Sequence, residues 1–276
     1  MLIGLFGLRP TSHGQAIERF GGSEALSGGG ECGVENNAFL DGEEVVYKVY
    51  YNLGFFWTEA GMVHFTVRET DSSYNITASG STAGFYDNFY RVRDTFETHL
   101  DKSNLMPTYF MRNIEEGKYR KFNKFFFDHE SKRITSYKGH SPTSKLEKSK
   151  VDFTNCMHDV ISVVYSLRNT DIEHMKPGES FPVNIYLEEQ FPLEVRVLET
   201  DEKKKVRGLG KFRANVVQPE LIAGEVFKED SYMTVYVSAD SNRLPLIMES
   251  PLIVGKMKAV LYDFKGLKYD LDAKLD

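Results

Sequence analysis

The stretch YMTVYVSADSNRLPLIMESPLIVGKMKAVLYDFK, residues 232–265, decides the fold class of this chain. Residues 232–237 alternate between two faces, which is the period of a strand with one buried side. Asp240–Asn242 then supplies polar turn residues that bond their own backbone, and a proline at position 251 interrupts the ladder. The stretch therefore predicts three consecutive strands of an antiparallel meander.

The same alternation recurs upstream, in segments separated by short polar turns. These segments are 43–51, 60–69, 74–81, 91–101, 107–115, 119–128, 133–138, 183–187, 193–197 and 211–218, with 200–205 as a hairpin tip. Val160, Val163, Val164 and Leu167 instead have helical spacing. We predict a mainly β fold: an antiparallel meander forming an open or partly closed barrel, with one amphipathic helix, about 156–169, packed against it or plugging it.

The first 37 of the 276 residues differ in composition from the rest. Met1–Leu8 is a short apolar run, and a segment rich in glycine and serine follows it. The run resembles a secretory signal peptide without its basic start, although a frayed N-terminus of a cytoplasmic protein is the alternative. We predict a leader over 1–37, a single β-rich domain over 38–276, and export to the periplasm or cell envelope.

The charge balance bears on the class of partner. The formal net charge is −6, and 41% of the residues are hydrophobic. This acidity argues against nucleic acid, which requires a basic face. Four cations alternate with aromatic residues at Lys118, Arg120, Lys121 and Lys124, and we interpret them as a solvated strand face. No apolar run approaches the ~20 residues of a transmembrane helix.

Motifs of known chemistry are missing from the sequence. No histidine or cysteine has a partner at metal-ligand spacing, and no nucleophile elbow or phosphate-binding glycine loop is present. We interpret His158, Asp159 and Ser162 as helix-end capping and polar surface, since a catalytic triad needs its acid at a separate position. The prediction is a protein that is not an enzyme, with no catalytic residue, metal or cofactor. The alternative is an enzyme that uses scattered carboxylates, namely Asp87, Asp94 and Glu97.

Aromatic residues are concentrated in two short segments, 50–57 and 85–90. Four aromatic residues within six positions cannot all point into one core from a single strand. They either line a hydrophobic cavity that binds a lipid-like ligand or form an ordinary aromatic core under the helix. The candidate ligand-binding residues are Tyr50, Phe55, Trp57, Phe85, Tyr86, Phe89, Tyr90, Val164 and Tyr165.

The two cysteines, Cys32 and Cys156, lie far apart in the sequence. An even number of cysteines in an exported protein permits a disulfide. Two unrelated thiols, or a lipoprotein anchor at Cys32, are the alternatives that the sequence leaves open.

Four segments resemble an exported bacterial family of the Bacteroidetes type, known as domain of unknown function 3108. They are 43–51 with Ala60-Gly61, 85–94, 158–168 and the closing 240–266. The resemblance covers about 38–270 in matching order. It implies a periplasmic or surface-associated protein without established catalytic residues, and its cysteine positions favour a disulfide between Cys32 and Cys156.

A more distant similarity, to the unclosed barrels of periplasmic lipoprotein carriers, concerns the fold alone. We therefore expect a non-catalytic envelope protein that binds a hydrophobic or lipid-like molecule in a β-lined cavity. The alternative is a structural or interaction module of the envelope, whose partner is another envelope protein.

Overall fold

The computed structural model describes residues 32–52, 54, 56–82, 84–224 and 227–276, without the side chains of Phe85 and Tyr86. Fourteen strands and two short helices are assigned within these ranges. The strands are β1 Glu44–Asn52, β2 Trp57–Glu69, β3 Ser73–Thr82, β4 Arg93–Asp101, β5 Pro107–Glu116, β6 Tyr119–Asp128, β7 Arg133–Gly139, β8 Glu147–Asp152, β9 Ser180–Tyr186, β10 Gln190–Val206, β11 Gly210–Pro219, β12 Thr234–Ser238, β13 Pro245–Pro251 and β14 Lys256–Lys265. The helices are α1 Phe85–Phe89 and α2 Ser162–Leu167.

All fourteen strands belong to one antiparallel sheet, as the predicted fold class requires. Each strand pairs with the next along the chain, except that β8 and β9 do not pair and β1 pairs with β14. The sheet order is consequently β8 down to β1 and then β14 down to β9, so that β8 and β9 are its two edges. The sheet remains open, and the connection between its two edges carries α2.

The core lies on one face of this curved sheet. Along β1, Val45, Tyr47 and Val49 are buried, while the residues between them are half-buried. The inward residues of the strands and those of the α2 region form one continuous hydrophobic cluster. The alternation that marked the strands in the sequence thus separates the core from the outer face.

The helix in the inter-edge connection is shorter than the predicted 156–169. The backbone N–H of His158 donates to the carbonyl of Asn184 (2.8 Å), and the carbonyl of His158 accepts from the N–H of Tyr186 (2.8 Å). These bonds hold residue 158 in an extended bridge beside β9, so α2 begins only at Ser162. The helical spacing of apolar residues correctly indicated a buried face, but it did not reveal that backbone bonds to β9 replace the first turns of the predicted helix.

The structure corrects one further prediction and adds one strand that the sequence did not predict. Residues 200–205 are not a hairpin tip but part of β10, where Lys204 pairs with Phe212; the turn comes at 207–209. Strand β8 was not predicted, because its sequence EKSKVD has no apolar alternation and its side chains are mostly exposed. Strand β8 is recognisable in the structure through its backbone pairing with β7.

The predicted disulfide is present between Cys32 and Cys156, whose Cα atoms are 5.4 Å apart. It joins the segment before β1 to the beginning of the α2 region. The N–H of Val34 also donates to the carbonyl of Asn104 (2.9 Å). Residues 32–37, the end of the predicted leader, therefore contact the domain, and the remainder of that leader lies outside the described residues.

Candidate functional site

A cavity of about 120 Å³ lies between α2 and the inner face of strands β9 to β13. Holding one water takes roughly 10–15 Å³ on the same measure, so the cavity has room for several heavy atoms in a row. Its lining consists of Val160, Val163, Val164, Leu167, Arg168, Ile172, Val183, Ile185, Leu193, Val195, Val217, Pro219, Glu220, Leu221, Ile222, Met233, Val235, Val237, Arg243, Pro245 and Met248.

The apolar wall follows from the two periodicities already seen in the sequence. The helical stripe that includes Val160 and Val164 faces the cavity from the α2 side. Alternate residues of the strands, such as Val235 and Val237 in β12, face it from the sheet. Eighteen of the twenty-one lining residues are apolar, and the exceptions are Arg168, Glu220 and Arg243.

Arg168 is committed to structural bonds. Its guanidinium donates to both carboxylate oxygens of Glu43 (2.6 and 2.8 Å), and to the carbonyls of Ala38 and Asn242. Burial alone lowers the pKa of Arg168, but the Glu43 carboxylate outweighs burial and leaves this pKa above its ordinary value. Both side chains are almost fully buried, so the charge is neutralised inside the protein and is not offered to the cavity.

Arg243 is less fully engaged than Arg168. Its Nη1 donates a long bond of 3.4 Å to the carbonyl of Arg168. Its Nε is buried and has no hydrogen-bond partner among the described residues. Because a buried donor without a partner is costly, Arg243 is the lining residue best suited to hold an anionic group.

The candidate ligand-binding residues do not come together at this cavity. Val164 lines it, whereas Tyr165 points into the core against Phe39. Tyr50 is half-buried at the edge of the core cluster. The remaining described ones are exposed: Trp57 to 42%, Tyr90 to 47% and Phe89 to 71%. Phe55 and the side chains of Phe85 and Tyr86 lie outside the described residues.

The three carboxylates of the enzyme alternative have different partners. Asp87 accepts from both terminal nitrogens of Arg93 (2.7 and 3.0 Å). Asp94 is buried, and its pKa rises to about 6, mainly through loss of solvent and further through the nearby Glu116 carboxylate. Glu97 contacts His99 Nε2 at 2.7 Å. Asp94 is on the inner face of β4 and Glu97 on the outer face, so these two carboxylates point to opposite sides of the sheet.

His158, Asp159 and Ser162 form a capping network, as predicted, but they are buried rather than at the surface. Asp159 Oδ1 accepts from the backbone N–H of Ile161 (2.7 Å) and of Ser162 (2.9 Å), and the Ser162 hydroxyl accepts from the N–H of Asp159 (2.8 Å). Thr98 donates its hydroxyl proton to Asp159 Oδ2 (2.7 Å). The network fixes the start of α2 against β4.

Burial shifts both titratable groups of this network toward their neutral forms. It raises the pKa of Asp159 to about 6, despite the hydrogen bonds from Thr98 and the backbone, which oppose the shift. It lowers the pKa of His158 to about 4, with a smaller contribution from the charge of His129. Asp159 makes its bonds to the helix start and Thr98 and none to His158, so this network is not a triad.

The described ranges contain no group of three or more histidine, cysteine, aspartate or glutamate side chains that could hold a metal ion. Over the same ranges, no helix combines the length and apolar character needed to cross a membrane.

Solved structures with the same type of fold include a beta-barrel-like protein of domain of unknown function DUF1849 from Brucella abortus. That protein has a TM-score of 0.58 at 10% identity; the match covers 84% of this chain and 100% of that one. A protein with a YmcC-like fold from Bacteroides fragilis matches with a TM-score of 0.32 at 11% identity, and the match covers 85% of this chain and 100% of that one. The likeness to the Brucella abortus protein, at 10% identity, concerns the fold alone.

No curated protein matches the chain. The family model described as "Protein of unknown function (DUF3108)" matches residues 46–262, which include all of β2 to β13, both helices and most of β1 and β14. The chain belongs to this DUF3108 family.

Proposed function

We propose that this protein is a non-catalytic protein of the cell envelope, exported from the cytoplasm, which binds a lipid-like molecule in the cavity beneath α2. The observation that carries the proposal is the cavity itself, with its largely apolar lining and the partly engaged Arg243. Well-packed interiors contain few voids larger than a water molecule, so an apolar void of this size suits a ligand.

The size and chemistry of the cavity favour a narrow ligand. A volume of about 120 Å³ suits one acyl segment rather than a complete diacyl lipid. The Nε of Arg243 supplies one donor for an anionic end group, such as a carboxylate. A single-chain amphiphile with an anionic end is therefore the preferred class.

Export is supported by the disulfide. Cys32 and Cys156 are paired, and disulfides persist in oxidising compartments such as the periplasm but are rare in the cytosol.

Binding can be tested with native mass spectrometry of gently purified protein and with uptake of a fluorescent fatty acid. Val164→Phe places a larger side chain in the cavity, and we expect it to weaken uptake by at least roughly tenfold. Val254→Phe, at a residue that is 60% exposed, is the matched control and leaves uptake unchanged. The absence of both a co-purified lipid and saturable uptake by the unmodified protein would reject the proposal.

The second candidate, an interaction module of the envelope, is favoured by an exposed apolar patch. Trp57 and Lys256 both pair with Asn52, which places the β1–β2 and β13–β14 turns side by side. Phe56, Trp57, Ile253 and Val254 are exposed on these turns. An exposed group of this kind is typical of protein interaction sites.

This candidate predicts that crosslinking in intact cells captures an envelope protein. Replacing Phe56 and Val254 by serine should abolish capture while fatty-acid uptake stays unchanged. Capture that is equally strong with the doubly substituted protein would contradict it.

A further inference from the structure

A cluster of polar and charged residues lies on the inner face of β5 to β7, separate from the apolar cavity. Arg112 in β5 is directly opposite Asn123 in β6, which is opposite Lys138 in β7. Lys121, two residues before Asn123, shares its face. This contradicts the interpretation of Lys121 as part of a solvated strand face, because only 22% of its side chain is exposed. Glu188, between β9 and β10, forms ion pairs with all three cations.

The cluster contains several hydrogen-bonding groups that the protein does not use. Arg112 donates through Nε to Asn123 Oδ1 (2.7 Å) and through Nη2 to Glu188. Its Nη1 and the amide nitrogen of Asn123 are buried without a partner among the described residues, and the buried hydroxyls of Ser136 and Tyr186 have no well-aligned bond beyond their contact with each other. All four residues have a relative exposure of 0%.

These four groups are close to one another in the fold. Asn123 pairs with Arg112, and Ser136 pairs with Phe125, the next inward residue of β6. The ring of Tyr186 packs on that of Phe125, with centroids 4.8 Å apart. Burial raises the pKa of Tyr186, and its contact with the neighbouring Ser136 hydroxyl opposes this shift in part. Buried polar groups are nearly always fully paired in native proteins, so four incompletely satisfied groups in one place call for an explanation.

The charges of the cluster are also unbalanced. Arg112, Lys121 and Lys138 face one carboxylate, Glu188, which leaves two of three positive charges uncompensated. Burial lowers the pKa of Arg112 and that of Lys121, and the charge of Arg112 lowers the latter further. Arg112 is fully buried, while Lys121 and Lys138 keep 22% and 33% of their side chains exposed. A dianion bound among them would neutralise the excess charge.

We propose that this cluster is a binding site for a phosphate-type dianion, either inorganic phosphate or the end of a phosphate monoester. The amide of Asn123, the Nη1 of Arg112 and the hydroxyls of Ser136 and Tyr186 donate to its oxygens, while Lys121 and Lys138 supply charge. Glu188 accepts from the Nη2 of Arg112 and leaves its Nη1 for the anion. A phosphate-type group fits better than a carboxylate because four donor groups and two excess charges match its oxygens and its dianionic state.

The test is isothermal titration calorimetry of the intact, disulfide-bonded protein with inorganic phosphate and, separately, with glycerol phosphate, using chloride to match ionic strength. The expected result is saturable binding of at least one of the two at one site per chain. Binding of both shows that the site admits an ester, whereas binding of inorganic phosphate alone shows a site closed around the free ion. No saturable binding of either, up to about 10 mM, overturns the proposal, since a three-cation site should bind more tightly than this.

Tyr186→Phe and Ser136→Ala separate a binding role from a structural one. Each removes a hydroxyl whose contact in the described protein is the other, poorly aligned hydroxyl, so the phosphate-free variants should unfold close to the temperature of the unmodified protein. Phosphate affinity should nevertheless fall roughly tenfold in each. Tyr137→Phe, on the outer face of β7, is the matched control and keeps full affinity. Unchanged affinity in both Tyr186→Phe and Ser136→Ala overturns the assignment.

Lys138→Gln tests the charge, with Lys124→Gln on the outer face of β6 as its control for net charge. The first should weaken binding at least tenfold and the second less than twofold. Equal weakening by the two substitutions would contradict a local site.

Discussion

Arg168, which follows α2, donates hydrogen bonds to both carboxylate oxygens of Glu43, which immediately precedes β1. The backbone carbonyl of Asn242, in the turn between β12 and β13, accepts from Arg168 Nε. The side-chain Nδ2 of Asn242 donates to the backbone carbonyls of Tyr269 and Asp270. Three of the segments that resemble the family in sequence therefore meet at one buried point. A structural role at this junction is one that these three segments share.

Breaking this ion pair should be strongly destabilising. Glu43→Gln leaves the Arg168 charge buried without its anion, and we expect a loss of roughly 3–5 kcal/mol in the free energy of unfolding. Chemical denaturation measures this loss. Glu59→Gln, which removes the carboxylate from the exposed pair with Lys48, is the control and should cost less than about 1 kcal/mol. Similar small losses in both variants would show that the junction is not important for stability.

The disulfide should contribute substantially to stability because it closes a long loop. Cys32 and Cys156 are separated by 124 residues, for which chain entropy gives roughly 4–5 kcal/mol. The Cys32→Ser/Cys156→Ser double variant should lose about this amount in denaturation experiments under non-reducing conditions. Mass analysis should also show both thiols protected from alkylation until reduction; free thiols in periplasmic material would contradict the pairing.

Asp159 should make stability depend on pH in a defined direction. Its pKa is about 6 in the folded protein and 3.8 in a solvated chain, so the folded state binds more protons between these values. Stability from this group therefore falls as pH rises from about 4 to 6 and is constant above that range. The full effect is at most about 3 kcal/mol.

Asp159→Asn isolates this contribution. Asn Oδ1 can still accept from the N–H groups of Ile161 and Ser162, and Asn Nδ2 can donate to the Thr98 hydroxyl, which also donates to the carbonyl of Tyr109. Relative to the unmodified protein, the variant should gain stability between pH 4 and pH 6, measured by denaturant unfolding at each pH. His158 contributes with the opposite sign over the same range but is present in both proteins and cancels. A stability difference that does not vary with pH would refute the shift.

Arg243 should distinguish ligands by their end group. Arg243→Met removes the unpaired Nε while keeping an unbranched side chain beside the cavity. Uptake of a fluorescent fatty acid should fall roughly tenfold, and uptake of its methyl ester should not change. Arg68→Met, at an exposed position of β2, is the control. An equal loss for acid and ester would mean that Arg243 serves packing rather than charge recognition.

Most strands were predictable because each buries one face, whereas the functional surfaces depend on distant pairings. The cavity joins Val164 to Val235 through the order of strands, which no local pattern reveals. The polar cluster on β5 to β7, proposed above to bind phosphate, is partly recognisable in the local sequence. Arg112 occupies an inward position between the buried Phe110 and Ile114. A charged residue at a core position of an alternating strand is the type of departure that marks functional sites.

The pairing of β1 with β14 has a consequence for how the chain reaches its native state. Glu44 must find Lys265 across almost the whole sequence, so the centre of the sheet forms only after the final strand is available. Strands β8 and β9 are consecutive in the sequence but do not pair with each other, so the connection between them is a suitable position for new chain termini. In a circular permutant that starts at β9 and links β14 to β1, every strand pair of the sheet would join consecutive strands, so formation of the sheet would no longer require the pairing of the first strand with the last.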